Sequence, residues 1–387
     1  MTRIIIFTGK GGVGKTSVAA AHAIRSAEEG RRTLLVSADM AHNLGDIFYT
    51  SDTNPSENLF LLELDPFRLM TEDFPDMARA LSDLLAGAGF TKGFDGSFPL
   101  PSFETLFCLL KIGQLAQSGE YERILVDCAP TGETLALLKF PELFAWYMEK
   151  FYPVGKVVTR VLAPAAKAKY HIKLPSRKAM NQIERLHQKL MELQTLLKDG
   201  AFCSVRLVCM PEKMVVEETK RSFMQLKLYG YSVDGIYINR VLSEQEDNAF
   251  LAGWRRIQRD YLEELAQVFD GYPVTRLPWY PQEIRGIEAV RKLAEELPKN
   301  HLFDIHAPIE RETYETIPGG WRLRLENMPP NVSTVLRGKD LELHAGNVIR
   351  RIPLPDTLRG AKIVNCQIEN STLCVDFQLP ENKEALT

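Results

Sequence analysis

The sequence predicts an α/β fold: a mostly parallel sheet with helices on both faces and helical insertions, followed by a small all-β sandwich. Three observations carry this reading. Unbroken apolar runs of strand length alternate with helical stretches through the first three quarters of the chain. A glycine-rich turn joins the first such run to an alanine-rich helix. Beyond Pro308 the helical period disappears and strict alternation replaces it. Strands covered on both faces read as continuous hydrophobic runs, which is the mark of a parallel sheet sandwiched between helices.

The strand-like runs are Ile4–Phe7, Thr33–Ser37, Phe60–Leu64, Arg123–Val126, Val205–Cys209, Gly235–Ile238 and Val274–Leu277. Between Leu64 and Arg123 the chain is too long for one crossover. This interval carries Phe67, Met70, Phe74, Met77, Leu81 and Phe90, then the Gly/Phe/Pro segment Gly93–Pro101. A second interval from Phe140 to about Tyr170 holds Phe144, Trp146, Met148, Phe151 and Val158. Both read as helical insertions, over about residues 65–118 and 140–180 of a first domain spanning 1–307. Residues 308–316 read as a linker and 317–380 as the β-domain. There Trp321–Leu325, Leu341–His344 and Leu373–Phe377 alternate, with turns at Gly319-Gly320, Arg337–Asp340 and Ala345–Asn347. The last residues, Pro380–Thr387, read as a polar tail.

The glycine turn carries chemistry. Gly9-Lys10-Gly11-Gly12-Val13-Gly14-Lys15-Thr16 fits the pattern G-x-x-x-x-G-K-[ST] and stands between a strand and a helix starting at Thr16, the context that pattern requires. Glycines let the backbone wrap a phosphate, and the helix N-terminus offers N–H groups and positive dipole. In such a loop Lys15 meets the β- and γ-phosphates and the Thr16 hydroxyl holds Mg²⁺, with Ser17 next in the helix. The implied ligands are a nucleoside triphosphate and Mg²⁺, and the resemblance given below makes the nucleotide ATP. The run Leu125-Val126-Asp127 ends a later strand in a carboxylate, which suits water-mediated Mg²⁺ binding. Asp39 likewise follows the second strand, where open α/β sheets bind ligands.

Composition narrows the class. The 387 residues are 45% hydrophobic and 25% charged, with a formal charge of −3. These values suit a globular protein and give no electrostatic reason to expect nucleic acid. No apolar run approaches the roughly 20 residues that span a bilayer. Met1-Thr2-Arg3 leads straight into a strand with no signal-peptide core. The six cysteines are scattered without a C-x-x-C pair, which reads as buried free thiols in a cytoplasmic protein.

The early lysine, Lys10, makes the loop K-G-G-x-G-K-[ST]. This resembles the deviant phosphate loop of the arsenite-pump and tail-anchored-protein-targeting ATPases, members of the SIMIBI class of P-loop NTPases. Ser37-Ala38-Asp39-Met40-Ala41-His42-Asn43-Leu44-Gly45-Asp46 is similar to that branch's first switch, with Met40 in place of a proline. Asp127-Cys128-Ala129-Pro130-Thr131-Gly132-Glu133-Thr134 resembles its second switch, with Glu133 in place of a histidine. The resemblance implies ATP hydrolysis in a homodimer that closes on ATP and opens afterwards. It implies that Lys10 reaches the partner's nucleotide, that Asp39 orients the attacking water beside the metal, and that Asp46 couples the loop to hydrolysis. Gly132 would approach the γ-phosphate. Asn239, in Ile236–Arg240, and Pro281, in Pro278–Gly286, would face adenine, and Met210-Pro211-Glu212 matches a loop near the partner's nucleotide.

With one phosphate loop per chain, a lysine acting in trans requires two copies. The insertions suit an adaptable groove for an apolar helix of a membrane-protein client. A metalloid-exporter role would need clustered thiolates, and Cys108 is the only cysteine of either insertion. Residues Gly338–Leu343, Asn347–Pro355 and Asn370–Val375 resemble the strands of an α-crystallin (small heat shock protein) domain, with Asn370-Ser371-Thr372 where that pattern has a glycine.

Overall fold

The computed structural model describes residues 2–304 apart from 40–43, 51, 88–102, 143, 146–147, 149–176 and 245–248. It also describes residues 312–379 apart from 327, 330, 339, 347 and 359. Gly93–Pro101, most of the second insertion and the tail therefore lie outside the described residues. Seven parallel strands form the main sheet: β1 (Arg3–Thr8), β2 (Thr33–Ser37), β3 (Leu59–Glu63), β4 (Arg123–Asp127), β5 (Cys203–Cys209), β6 (Val233–Val241) and β7 (Val274–Pro278). Their order is β3-β2-β4-β1-β5-β6-β7. The chain divides into two compact units, Met1–Leu197 with Tyr280–Leu297, and Lys198–Trp279 with Pro298–Thr387.

In the first unit the strand ends are aligned. Phe7 pairs with Asp127 between β1 and β4, and Ser37 pairs with Asp127 between β2 and β4. The chain leaves all three strands at one level, so the glycine turn after β1, Asp39 after β2 and Asp127 at the end of β4 share one sheet edge. Every residue of β1 is buried, as its unbroken apolar run requires. The helix Lys15–Glu28 buries Val18, Ala20, Ala23 and Ile24, and its alanines let it lie close on the sheet. A second helix, Ile287–Glu295, packs along it, and Arg291 donates to Glu28 at 3.1 Å.

The first insertion is helical over Pro66–Arg68, Leu69–Asp73, Pro75–Gly87 and Phe103–Ser118. Its described apolar residues mostly turn inward. Leu69, Phe74 and Leu81 are buried, and Phe74 lies against Phe107 with ring centroids 5.6 Å apart, while Phe67 is exposed. Of the second insertion, Phe140 and Phe144 stack at 5.7 Å within the unit.

The second unit holds β5–β7 and an all-β region of two antiparallel sheets. One has the order β10-β11-β12, over Val332–Arg337, Asp340–Ala345 and Val348–Pro353. The other has the order β13-β14-β9-β8, over Lys362–Glu369, Thr372–Gln378, Gly320–Leu325 and Glu312–Ile317. The alternation read from sequence puts Leu323, Leu325, Leu373, Val375 and Phe377 on one buried face. Strand β8 begins at Glu312, inside the stretch read as linker. It is a sheet edge with little buried surface, so it needs no apolar run. The hairpin β13–β14 turns through Asn370 and Ser371, with φ of 49° and 61°. Two consecutive left-handed residues are what a two-residue hairpin turn demands. These two residues thereby supply the conformation for which glycine is the usual choice.

The β-region rests on the helix Lys213–Leu228 of its own chain. Arg350 is buried and donates to the Leu228 carbonyl at 3.1 Å and to Glu312 at 3.3 Å. Tyr229 Oη donates to the Ile349 carbonyl at 3.1 Å. A guanidinium on the last carbonyls of a helix satisfies groups that have no intrahelical partner and sits at the negative end of the dipole.

Gly320 has no room for a side chain. A Cβ there would lie 1.8 Å from the Phe377 carbonyl oxygen, on the neighbouring strand. Backbone cannot yield as a side-chain tip can, so Gly320→Ala is expected to cost at least ~2–3 kcal/mol. The check is a thermal melt of the full chain. An early transition is expected, with Lys15-dependent nucleotide binding retained below it.

Candidate functional site

The site is assembled in the first unit at the C-terminal edge of β1, β2 and β4. After β1 the backbone turns through Gly12 at φ 81° and Gly14 at φ 92°, conformations open to glycine and costly to other residues. Gly14 is the N-cap of the helix Lys15–Glu28. That N-terminus has no side-chain cap and no acidic residue in its first turn. By contrast Asp65 caps the helix at Pro66, accepting from the Phe67 and Arg68 N–H groups. An N-terminus without a carboxylate cap is suited to an external anion.

The Lys15 residue is buried, and its ammonium donates to the Lys10 carbonyl at 3.4 Å, so it folds back over the loop. Lys10 is half-buried, Gly11 and Gly12 are exposed, and Val13 anchors the loop in the core. Thr16 donates from Oγ1 to Asp127 Oδ2 at 2.6 Å. Asp127 is fully buried. This pair meets the donor test for Mg²⁺: two hard oxygen ligands beside the glycine turn, the donor type that Mg²⁺ takes together with water and substrate phosphate. Ser17 follows in the helix, half-buried.

The segment after β4 closes on the loop. The Thr131 N–H donates to the Gly9 carbonyl at 3.2 Å, and Pro130 Cγ lies 3.9 Å from the Cβ position of Gly11. Gly132 is exposed, with nothing within 4 Å of its Cβ position. Asp39 is half-buried two residues beyond β2, where Ser37 Oγ donates to its carbonyl at 3.3 Å. Met40–Asn43 lie outside the described residues. The chain resumes as the short helix Leu44–Phe48, with Asp46 exposed on it.

Among the residues around this site that were not singled out from the sequence is Glu63. Glu63, the last residue of β3, accepts from the Leu44 N–H at 2.8 Å and the Gly45 N–H at 3.4 Å. It therefore caps the helix that follows Asp39. The available signal was a carboxylate closing an apolar strand, the same signal that marks Asp127.

Asn239 belongs to the second unit. It is buried near the C-terminal end of β6, and its Oδ1 accepts from the Arg240 N–H at 2.9 Å. Pro281 is exposed at the start of the segment Tyr280–Leu297 of the first unit. Glu212 precedes the helix Lys213–Leu228 without a side-chain cap.

Burial pushes the Cys128 thiol up to about 12, with the Asp127 charge adding to it, and burial does the same to Cys108 and Cys209. The reading of all six cysteines as buried needs correction. Cys108, Cys128, Cys203 and Cys209 are buried, whereas Cys366 is exposed and Cys374 half-buried. Cys366 lies on the open edge strand β13, where alternation does not imply burial on either face. Among the described residues no helix is long and apolar enough to cross a membrane.

Comparison with known proteins agrees with this geometry. The model of the anion-transporting ATPase family matches residues 2–299. That of the HSP20-like domain found in these ATPases matches residues 321–377. A putative arsenical pump-driving ATPase of Chlorobaculum tepidum is 33% identical over 97% of this chain and 96% of its own length. Its counterpart from Prosthecochloris vibrioformis is 34% identical over the same shares. The ATPase get3 of Pyrenophora tritici-repentis is 30% identical over 77% of this chain and 91% of its own. The glycine cradle, the Thr16–Asp127 pair and the appended β-sheets thus belong to a member of the anion-transporting ATPase family, an ATP-hydrolysing enzyme with a C-terminal HSP20-like domain.

Proposed function

We propose that this ATPase is a homodimeric switch that uses ATP hydrolysis to handle or target hydrophobic membrane-protein segments. The observation that carries the hydrolytic part is the 2.6 Å hydrogen bond from Thr16 to the buried Asp127 carboxylate, set at the mouth of the glycine turn. In this reading Gly9–Ser17 wraps the phosphates with backbone N–H groups, and Lys15 balances their charge. Thr16, Asp127 and Asp39 would hold Mg²⁺, which would supply charge neutralisation on the transferring phosphoryl group. Asp39 orients the attacking water. Gly132, on the segment already bonded to Gly9, follows the γ-phosphate, and its departure releases that segment. Lys10 serves the partner's nucleotide, so closure and hydrolysis need two copies. Asn239 and Pro281 contact the adenine.

The alternative is an ATPase subunit that energises an anion or metalloid exporter, which the names of the Chlorobaculum and Prosthecochloris relatives favour. The chemistry of Cys108 weighs against it. Metalloids bind thiolates, and burial raises this thiol to about 12.

The deciding experiment uses Asp39→Asn to slow hydrolysis and hold the ATP-bound dimer. The probe is a soluble carrier bearing one C-terminal apolar helix of about 20 residues. A complex that forms with ATP and is lost when the helix is replaced by a polar one supports the client reading. No such complex, together with wild-type hydrolysis stimulated by arsenite or antimonite, replaces it with the exporter reading.

A further inference from the structure

The segment that begins at Tyr280 fastens at once to the far end of the short helix Leu44–Phe48. The Gly286 N–H donates to the Ile47 carbonyl at 2.7 Å. One residue earlier, the Arg285 guanidinium carbon lies 4.5 Å from the centroid of the Tyr49 ring, well inside cation–π range. Tyr49 is 73% exposed, so core packing does not hold its ring. Its backbone is left-handed, at φ 51°, which costs a non-glycine residue about 1–2 kcal/mol. A strained, exposed tyrosine beneath an arginine is a poor device for stability.

The surroundings suggest a use. Glu63 already holds the N-terminal end of Leu44–Phe48, so Arg285, Gly286 and Tyr49 complete a grip at both ends of five residues. Gly286 is also the N-cap of Ile287–Glu295. That helix packs on Lys15–Glu28, the helix that begins at the phosphate turn. Its φ of 85° with ψ of 155° is a conformation reserved for glycine. One short stretch of chain, from Arg285 onward, therefore joins two elements of the first unit. It touches both the helix after Asp39 and the helix after the phosphate turn.

We infer that Arg285 and Tyr49 are positioning residues that link segment 281–286 to the helix after Asp39, so that the base of the bound nucleoside triphosphate sets kcat and not affinity alone. The inference rests on the function proposed above, in which Pro281 contacts the adenine of the bound ATP. A base that seats against residues 281–286 fixes Arg285, which fixes Tyr49 and with it the end of the helix carrying Asp46. A base that does not seat leaves the stack loose and the helix carrying Asp46 poorly set.

The test uses the full chain with ATP and GTP as substrates and a fluorescent ATP analogue for affinity. Arg285→Ala and Tyr49→Ala should each lower kcat for ATP about two- to fivefold, the size expected of an exposed cation–π contact. Analogue affinity should stay within twofold, and the effect on GTP turnover should be smaller. Tyr49→Phe, which keeps the ring face, should recover the wild-type value. The double variant should be no slower than either single one, because both remove one interaction. Unchanged kcat, multiplicative losses, or a fall in affinity with kcat intact would each overturn the inference. Wild-type analogue binding that Lys15→Ala does not abolish would instead overturn the nucleotide site itself, and the inference with it.

Discussion

Asp127→Asn is expected to reduce Mg²⁺-dependent hydrolysis about 10²- to 10³-fold while leaving the chain folded. The change removes a negative charge but keeps shape, and the amide oxygen can still accept the Thr16 hydroxyl now 2.6 Å from the carboxylate. Burial makes the isosteric exchange tolerable, because a neutral amide costs less to bury than an ion. What disappears is the anionic oxygen that, with Thr16, forms the hard-donor pair for Mg²⁺. Charge neutralisation by such an ion is worth several kcal/mol in the transition state, and ~3–4 kcal/mol corresponds to the loss stated. The effect should lie in kcat and in the Mg²⁺ concentration required. Affinity for ATP measured without Mg²⁺ should change little. Phosphate release titrated with Mg²⁺ reads both quantities. Wild-type kcat at saturating Mg²⁺ would remove Asp127 from the metal role.

Much of the first domain was legible because its strands are covered on both faces, so burial wrote itself into unbroken apolar runs. Where the physics differed, the signal faded. Strand β6 starts two residues before the run Gly235–Ile238 because Asp234 is buried inside it. A charge in a strand reads as a boundary. Here Arg206 on the neighbouring strand donates to it at 3.1 Å and to the Leu302 carbonyl at 2.5 Å, which makes the burial affordable. Strands β8 and β13 were hidden for the opposite reason: they are edges with little to bury, so no pattern was imposed on them.

The site followed the same division. Gly9–Thr16 and Asp127 were legible because a phosphate cradle fixes residue types at fixed spacing. Glu63, Tyr49 and Arg285 were not, because they act through contacts between segments far apart in the chain. Glu63 reaches Leu44 across 19 positions, and Arg285 reaches Tyr49 from the other end of the domain. No local spacing encodes such pairs. The register Phe7–Asp127–Ser37, which puts three strand ends at one level, is likewise a property of the sheet and of no single segment.

Lys10→Ala is expected to abolish hydrolysis, by about 10³-fold or more, and to abolish ATP-dependent dimer closure while sparing nucleotide binding. The Lys10 carbonyl accepts from Lys15 within the loop, an interaction of the backbone that alanine preserves. That loop contact therefore survives the substitution. Only one phosphate loop is present per chain, so in the proposed dimer the second cation at the γ-phosphate comes from the other copy. A cation supplied in trans is worth 10³–10⁵ in the rate of phosphoryl transfer. The decisive experiment mixes two inactive variants, Lys10→Ala and Lys15→Ala. In a mixed dimer the site with intact Lys15 receives the intact Lys10 of its partner, so up to half of the sites in that dimer recover. Activity that appears on mixing, and grows with the fraction of mixed dimers, requires the lysine to act across the interface. Mixtures that stay inactive although mixed dimers form would return Lys10 to its own loop, and hydrolysis would then have to be explained within one chain.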